Sequence, residues 1–385
     1  MNNNSKGAII LGGHIQALGI VRSLGKRKIP VYLVQSEVIS IAMFSKYVKK
    51  TFISPSEFDD INFINYLISL SFKNKFNNFI LFPTNDQQVS LISKNYDILS
   101  KSFILAVPKW GISKKIINKK NTFEIAKSLG MDQPKTYFPG DLENVKTICK
   151  KMEFPCIIKP AVMHKFFRKT KKKVVLCKNK NELLRNYLIS LKYIKKDEVM
   201  IQEVIPGDGS HLYSFCSFHK DGNSFLPLVC IRKRQHPIDF GNGTTFAISK
   251  HDVNLQKVSS RLLEKINFSG LSEVEFKKDP RDNKFKFLEV NSRTWKWHSI
   301  SNTCTHDYSF IQFSDLYGDS LSVSNEQPKE KLSWIHLTTD IFVLVQMLFR
   351  KFISFEGYKR SIVGRLHFAN LSKTDPLPFF VELFL

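Results

Sequence analysis

The chain has 385 residues, of which 43% are hydrophobic, and a formal net charge of +24. That length supports two or three domains with hydrophobic cores, and no apolar stretch reaches the roughly 18 residues of a membrane-spanning helix. The six cysteines are scattered without a CxxC pair, which argues against a zinc site or a disulfide framework.

The positive charge is the most unusual property of the composition. Lys and Arg total 58 against 34 Asp and Glu, a balance that favours polyanionic partners. The basic residues are spread along the chain apart from one dense run, Lys165 to Lys173, so a compositional bias towards lysine is the simpler interpretation. The N-terminal segment MNNNSKGAIILGG lacks the basic start and cleavage site of a signal peptide. We therefore expect a cytoplasmic protein without specific nucleic-acid binding or membrane contact.

Residues 1–108 alternate predicted strands and helices. A short apolar strand precedes GGHIQALG, a helical pattern follows, and VYLV is the next strand. FILF and FILA are further strands, and the Pro-Thr-Asn-Asp turn after the first of them can cap a helix. This order predicts a small parallel α/β domain of Rossmann-like type.

The first turn carries glycines at positions 12, 13 and 19. It is similar to a dinucleotide-binding fingerprint but departs from GxGxxG, and Gln35 and Ser36 precede the first acid, Glu37. Two other interpretations stay open. The helix N-terminus could bind an anionic substrate group, or the glycines could serve only a tight turn.

The remaining chain mixes strands and helices without internal repeats. A helical pattern in NKKNTFEIAKSLG is followed by the strand FPCIIKPA, the basic run, and the strand in IQEVIPGDG with its Pro-Gly interruption. A hairpin is predicted in GLSEVEFKKDPRDNKFKFLEVNSR. We place domain boundaries to give residues 109–195, 196–320 and a tail, 321–385, which is expected to pack on the core.

The predicted hairpin gathers polar side chains. Alternation along a strand points Glu289, Asn291 and Arg293 to the same face, and Glu275 lies near the end of the partner strand. Carboxylate and amide oxygens from two antiparallel strands suit one or two Mg²⁺ ions held against a triphosphate. The alternative is an edge strand with a solvated polar face.

Five motifs in this order resemble the ATP-grasp superfamily, in particular its carboxylate–amine ligase branch, which includes D-aspartate ligase-like proteins. The resemblance covers about residues 7–320. Its motifs are KPA at Lys159, QEVIPGDG at 202–209, RKRQHP at 232–237, EVEFKKD at 273–279 and FLEVNSR at 287–293.

The resemblance implies an ATP-grasp fold, in which a Rossmann-like domain is followed by two α+β subdomains that clasp ATP. It implies ATP and Mg²⁺ as cofactors, with Mn²⁺ as an alternative ion. It assigns the following residues to ATP: Lys119 and Lys159 at the phosphates and the adenine side, Gln202, Glu203 and Val204 at the adenine edge, Ile205 against the ring and Asp208 at the ribose. Lys120 competes with Lys119, and Asn118 stands where relatives often have Asp.

The resemblance also implies a metal site and two catalytic cations. Glu275, Glu289 and Asn291 would bind Mg²⁺, and Arg234 and Arg293 would stabilise the transferring phosphoryl group and the later tetrahedral intermediate. A carboxylate would attack the γ-phosphate of ATP, and an amine would displace phosphate from the acyl phosphate.

Small-molecule carboxylate and amine substrates are expected between the first domain and the loops 235–245 and 295–306. The basic run would act as a lid, and a homodimer is one expected assembly. Three other functions stay open: a protein that binds nucleic acid or another polyanion, a dinucleotide-dependent oxidoreductase, and an ATP-grasp protein that binds nucleotide without ligating.

Overall fold

The computed structural model describes residues 6–162, 166, 170, 174–238, 243–304, 307–320 and 323–385. The chain divides into two compact units. The first unit comprises Met1–Ser113, Asp208–Val274 and Asn291–Leu385, and the second comprises Lys114–Gly207 and Glu275–Val290. The first unit therefore contains all or most of three predicted segments, 1–108, 196–320 and 321–385. This happens because the chain enters the second unit twice and returns each time.

The first unit begins with a parallel five-stranded sheet, as the sequence predicted. Its order is β3-β2-β1-β4-β5. All residues of β1 and β4 are buried, as expected for central parallel strands. The third strand was not predicted because its sequence, VKKTFI, has two exposed lysines. The strands are β1 Ala8–Leu11, β2 Val31–Gln35, β3 Val48–Ile53, β4 Phe79–Phe82 and β5 Phe103–Leu105.

Helices connect these strands. The predicted cap after β4 is confirmed, since the side chain of Asn85 accepts a hydrogen bond from the backbone N–H of Gln88 at 2.9 Å. The α-helices are Ile15–Lys26, Asp60–Asn74, Asp86–Lys94, Tyr96–Leu99 and Trp110–Ile117, and Ala42–Phe44 is a 3-10 helix.

The glycines of the first turn have packing roles. A Cβ atom at Gly13 would collide with the side chains of Gln35 and Ser40, and one at Gly19 would lie 2.7 Å from Cε1 of His298. These neighbours belong to the protein itself. Close packing within the protein thus explains Gly13 and Gly19 without a bound dinucleotide, and the anion-binding interpretation of the helix N-terminus stays open.

The second unit contains an antiparallel four-stranded sheet with the order β6-β9-β7-β8. Helices cover it, and side chains such as Leu183 and Tyr187 are buried in its core. The strands are β6 Thr136–Tyr137, β7 Cys156–Pro160, β8 Val175–Cys177 and β9 Val199–Glu203. The helices are Lys119–Ser128, Leu142–Ile148, Lys180–Ser190 and the 3-10 helix Lys196–Glu198.

The third sheet has seven strands in the order β14-β13-β10-β11-β12-β15-β16. The predicted hairpin forms β13 and β14. The strands are β10 Leu212–Lys220, β11 Asn223–His236, β12 Gly243–Ser249, β13 Gly270–Lys278, β14 Phe285–Asn291, β15 Leu332–Ile335 and β16 Arg365–Phe368. The α-helices after β12 are Val253–Ile266, Tyr308–Leu316, Leu337–Phe349, Phe355–Ser361 and Leu377–Glu382, and Gly209–His211 and His298–Thr303 are 3-10 helices.

The tail belongs to this sheet, which confirms that it packs on the core. β15 pairs antiparallel with β12, and β16 pairs parallel with β15. The most apolar helix of the tail, Leu337–Phe349, has 13 residues. Nowhere in the described ranges does a helix have both the length and the apolar character to cross a membrane.

A buried ion pair ties the end of the tail to the first helix. Arg22 Nε donates to the carboxylate of Asp375 at 2.9 Å, and the guanidinium also donates to the backbone carbonyls of Ala369, Asn370 and Asp375. Ser45 Oγ donates to the same carboxylate. Because both charged side chains are buried, each depends on the other for compensation.

We expect Asp375→Asn to reduce the free energy of unfolding by about 3–5 kcal/mol, because it leaves a buried guanidinium without its counter-charge. Urea unfolding followed by circular dichroism measures the change. The matched control is Asp319→Asn, which breaks the exposed pair with Lys6 and should cost less than about 1 kcal/mol. Equal losses in the two variants would contradict the prediction.

Candidate active site

The two predicted phosphate-binding lysines lie in the second unit. Lys119 begins the helix Lys119–Ser128, and its backbone N–H donates to the carbonyl of Ala161 just after β7. Its ammonium forms an ion pair with Glu289 of β14. Lys119 is buried whereas Lys120 is exposed, so the placement favours Lys119 over its competitor.

Lys159 is the second lysine and is also buried. Burial holds its pKa well below the usual value, repulsion from Lys119 lowers it further, and attraction from Glu275 partly offsets both effects. Its ammonium has no hydrogen bond or ion pair within the described residues. Two lysines and two glutamates of the predicted site thus interact electrostatically in the second unit, and one cation is left without a direct partner.

The predicted amide ligand, Asn291, lies in the first unit at the end of β14. Its Nδ2 donates to Glu273 at 2.9 Å, and Ser214 Oγ donates to the same carboxylate at 2.9 Å. The buried Glu273 therefore fixes the Asn291 amide so that Nδ2 faces β13. Sequence reasoning missed Glu273, although it stands two residues before Glu275 in EVEF and shares its face by strand alternation.

The chemistry of these donors fits Mg²⁺. Glu275 and Glu289 offer carboxylate oxygens and Asn291 an amide oxygen, which are the hard ligands that Mg²⁺ takes. In the part of the chain that is described, no group of three His, Cys, Asp or Glu side chains could hold a metal ion. A pair of carboxylates matches the usual Mg²⁺ arrangement, in which phosphate oxygens and water complete the shell.

Arg293 departs from the expected strand geometry. β14 ends at Asn291, so Arg293 follows the strand and does not alternate within it as predicted. Its Nη2 still donates to Asn291 Oδ1 at 3.4 Å, so these two side chains lie together as expected. Its guanidinium forms a bidentate pair with Asp86, with Nε to Oδ1 at 2.7 Å and Nη2 to Oδ2 at 3.2 Å. Asp86 is the first residue of the helix after β4. This pair draws the arginine towards the parallel sheet.

Arg234 is held more tightly than a substrate-binding arginine needs to be. Its Nε and Nη2 donate to Asp340 at 2.8–3.1 Å, and Nη1 donates to Ser361 at 2.7 Å. The guanidinium lies between the rings of Phe246 and Tyr358. With 4% of the residue exposed, this placement favours a structural role, and its contact with a phosphoryl group stays a prediction.

The predicted adenine hinge is the end of β9 and the residues after it. Gln202 Nε2 donates to Thr136 Oγ1 at 2.8 Å. The carboxylate of Glu203 accepts from the backbone N–H of Lys135 at 2.8 Å and pairs with Arg281. The backbone N–H of Glu203 donates to the carbonyl of Lys135, so this group is already used inside the protein.

The three remaining residues predicted to contact the nucleotide lie at the hinge or just beyond it. Ile205 is buried, as expected of a residue that packs on a ring, and Val204 is partly buried. Asp208 caps the 3-10 helix Gly209–His211. Its partial burial would raise its pKa, but hydrogen bonds from Ser210 and His211 hold the pKa below the usual value, so the carboxylate is ionised.

The predicted lid falls mainly outside the described residues, and the predicted substrate loops fall partly outside them. The proposed lid, Lys165 to Lys173, has only residues 166 and 170 described, and the lysines 171–173 are not. The predicted substrate loops 235–245 and 295–306 are described except for 239–242 and 305–306.

Comparison with curated proteins finds one relative at significant similarity. D-aspartate ligase from Enterococcus faecium (strain Aus0004) is 24% identical over 301 residues, which are 74% of this chain and 70% of that protein. No protein-family model matches the chain.

Solved structures share the fold at low sequence identity. The biotin carboxylase domain of Hydrogenobacter thermophilus 2-oxoglutarate carboxylase, solved with MgADP, ADP and bicarbonate, superposes with a TM-score of 0.68 at 16% identity over 86% of this chain and 73% of that one. L-amino acid ligase from Bacillus licheniformis superposes with a TM-score of 0.66 at 13% identity, over 85% of this chain and 79% of that one. The ADP complex of N5-carboxyaminoimidazole ribonucleotide synthetase superposes with a TM-score of 0.66 at 11% identity, over 90% of this chain and 85% of that one.

We expect Lys159→Met to stabilise the protein in the absence of ligand. The lysine's usual pKa is 10.5 and its folded pKa lies well below that, so between the two values the unfolded chain binds a proton that the folded chain does not. The free energy of unfolding of the wild type should therefore rise with pH across this window. Lys159→Met should flatten that rise.

Urea unfolding at a series of pH values between about 7 and 10 measures the slope. The control is Lys135→Met, which removes an exposed lysine of the same unit and should leave the slope unchanged. A destabilised Lys159→Met protein with an unaltered slope would show that the ammonium is compensated in the folded state.

Proposed function

We propose that the chain joins an amino-acid carboxylate to an amine with consumption of ATP. It has the ATP-grasp fold and is homologous to D-aspartate ligase, as its motifs predicted. The reaction proceeds through an acyl phosphate and releases ADP and phosphate. The observation that carries this proposal is the cluster of Lys119, Lys159, Glu275 and Glu289 in the second unit. It combines cations for phosphates with carboxylates for a metal ion.

The two lysines are suited to bind the triphosphate. Lys159 is buried and has no direct partner in the part of the chain that the structure describes. A phosphate oxygen would supply the counter-charge that raises its pKa back towards the ordinary value. Lys119 holds Glu289 when no nucleotide is bound. Nucleotide binding would let Lys119 exchange this carboxylate for a phosphate, which leaves Glu289 available as a ligand.

The acidic residues define the metal side of the site. Bound Mg²⁺ would neutralise phosphate charge and polarise the γ-phosphoryl group. Glu275, Glu289 and Asn291 would hold it, and Glu273 would orient the Asn291 amide. The MgADP in the biotin carboxylase structure supports ATP and Mg²⁺ as the cofactors of this chain.

Arg293 is the better of the two predicted catalytic arginines. Its guanidinium contacts Asp86, whose side chain is 44% exposed, and it lies two residues beyond Asn291. A planar fork of N–H donors can hold a phosphoryl oxygen or a tetrahedral oxyanion. Arg234 would act at a distance by fixing β11 to the tail through Asp340.

We predict Mg²⁺-dependent release of ADP and phosphate when the correct carboxylate and amine are both present. The acyl-phosphate route cleaves the bond between the β- and γ-phosphates, so ADP must be the product. An ADP-release screen over pairs of amino acids, including D-isomers, tests this directly. Formation of AMP and pyrophosphate with the true substrates would exclude the route, and ATP binding without release for any pair would favour a protein that does not ligate.

We predict that Glu289→Gln lowers turnover by about 100-fold or more, because it keeps the shape of the side chain but removes a ligand charge worth several kcal/mol in the transition state. The protein should still fold but lose some stability, because the change keeps the shape of the side chain and removes the counter-charge of the buried Lys119. The ADP-release assay and thermal unfolding measure the two effects. Glu153→Gln, which alters an exposed glutamate of the same unit, is the control. Near-normal turnover in Glu289→Gln would show that the carboxylate is structural.

A further inference from the structure

A cavity of about 460 Å³ lies within the first unit, at the N-terminus of its first helix. Its lining includes Ile15, Gln16, Lys296, His336 and Glu382. This size falls in the range of small-molecule sites. None of the residues assigned above to ATP or to the metal lines it.

Lys296 is a cation in this cavity without a direct partner. No hydrogen bond or ion pair to its ammonium exists among the described residues. Its pKa is lowered to about 8, chiefly by burial and further by repulsion from Arg232, against an opposing attraction from Glu382. Near neutral pH the side chain therefore carries a charge that its surroundings solvate poorly.

The carboxylate that lines the same cavity already has hydrogen-bond partners. Glu382 shares a hydrogen bond of 2.7 Å with His336 Nε2, and it accepts hydrogen bonds from Thr338 at 3.0 Å and Asn370 at 2.5 Å. These three contacts hold the carboxylate of Glu382 within the tail, to which its partners also belong. It attracts Lys296, but no hydrogen bond or ion pair joins the two among the described residues, so the ammonium keeps its N–H donors for a ligand.

The helix that begins at the cavity is a second feature that favours a negative group there. The helix Ile15–Lys26 has no side chain capping its N-terminus and no acidic residue in its first turn. Its free N–H groups and dipole favour a negative group in front of Ile15 and Gln16. Two independent features, an unpaired ammonium and an uncapped helix of 12 residues, thus favour an anion in one cavity.

The rest of the lining favours an organic anion. Ile15, Ile39, Ile41 and Leu385 present apolar surface beside the charged groups. A small inorganic ion would leave this surface in contact with water. A carboxylate on a carbon skeleton would satisfy the ammonium and cover the apolar side chains together.

We propose that this cavity binds an amino-acid substrate through a carboxylate that the ligation leaves unreacted, with the ammonium of Lys296 as its ion-pair partner. The proposal rests on the ligase function above and specifies its substrate as an amino acid that keeps a free carboxylate. Lys296 is then a specificity-determining residue. It selects acids over amides of the same shape.

The test is a cycle of two changes, one in the protein and one in the ligand. Calorimetry measures binding of D-aspartate, L-aspartate and their two monoamides to the wild type and to Lys296→Met. Loss of a charge-assisted contact should weaken binding of the acid by about tenfold or more. The amide that replaces the carboxylate held by Lys296 should bind the two proteins equally.

Two controls separate this role from a structural one. Lys265→Met removes an exposed lysine of the same unit and should leave aspartate affinity unchanged. Lys296→Met should keep the affinity for MgATP, and its unfolding temperature without ligand should be equal or higher, because a poorly solvated cation has been removed. A lysine that only supported the fold would lower that temperature.

The outcomes distinguish the inference from the proposed function. If the wild type releases ADP with an amino-acid pair and Lys296→Met does so with unchanged KM for both substrates, the Lys296 site is wrong and the ligase stands. If the wild type binds aspartate but releases no ADP, and Lys296→Met no longer binds aspartate, the carboxylate site stands and the ligase function fails. Absence of aspartate binding to the wild type, or an equal loss in Lys265→Met, overturns the inference.

Discussion

The cost of burying an ionised side chain is the constraint that organises this structure. An isolated charge away from water is unfavourable by several kcal/mol unless another charge or a set of hydrogen bonds compensates it. Arg22 and Arg234 are buried, and each is compensated by a buried aspartate, Asp375 or Asp340. Lys159 and Lys296 lack such a partner among the described residues. The first pair of cations holds the fold together, whereas the second pair marks where ligands with negative charge would bind.

This distinction also explains how far sequence reasoning could reach. The parallel sheet and the hairpin of β13 and β14 follow from local patterns, because alternation and turn residues act over a few positions. The lysine of KPA and the acids of EVEF and LEVN stand at such local landmarks, so Lys159, Glu275 and Glu289 could be selected from the sequence. The choice of Lys119 over Lys120 needed the structure, since only burial separates the two neighbours.

Partners that are distant in sequence could not be predicted. Arg234 and Asp340 are 106 residues apart, and Arg22 and Asp375 are 353 apart. No periodicity connects such positions, and their pairing is decided by how the tail adds β15 and β16 to the sheet. Glu273 was missed for a different reason. It alternates with Glu275 along the same strand, but its role appears only through its contacts with Ser214 and Asn291.

The ion pair between Lys119 and Glu289 follows from the same constraint. Without a nucleotide, a glutamate suited to a metal ion and a lysine suited to a phosphate would each lack its ligand, and their mutual contact compensates both charges. With nucleotide and metal ion present, each side chain gains a partner of opposite charge, so neither state leaves a charge uncompensated. Lys159 has no such partner among the described residues, and only the attraction of Glu275 partly offsets its unfavourable burial. In the ligand-free site, the charge of Lys119 is therefore compensated by Glu289, whereas the burial of Lys159 stays unfavourable. Nucleotide binding should relieve this unfavourable free energy at Lys159.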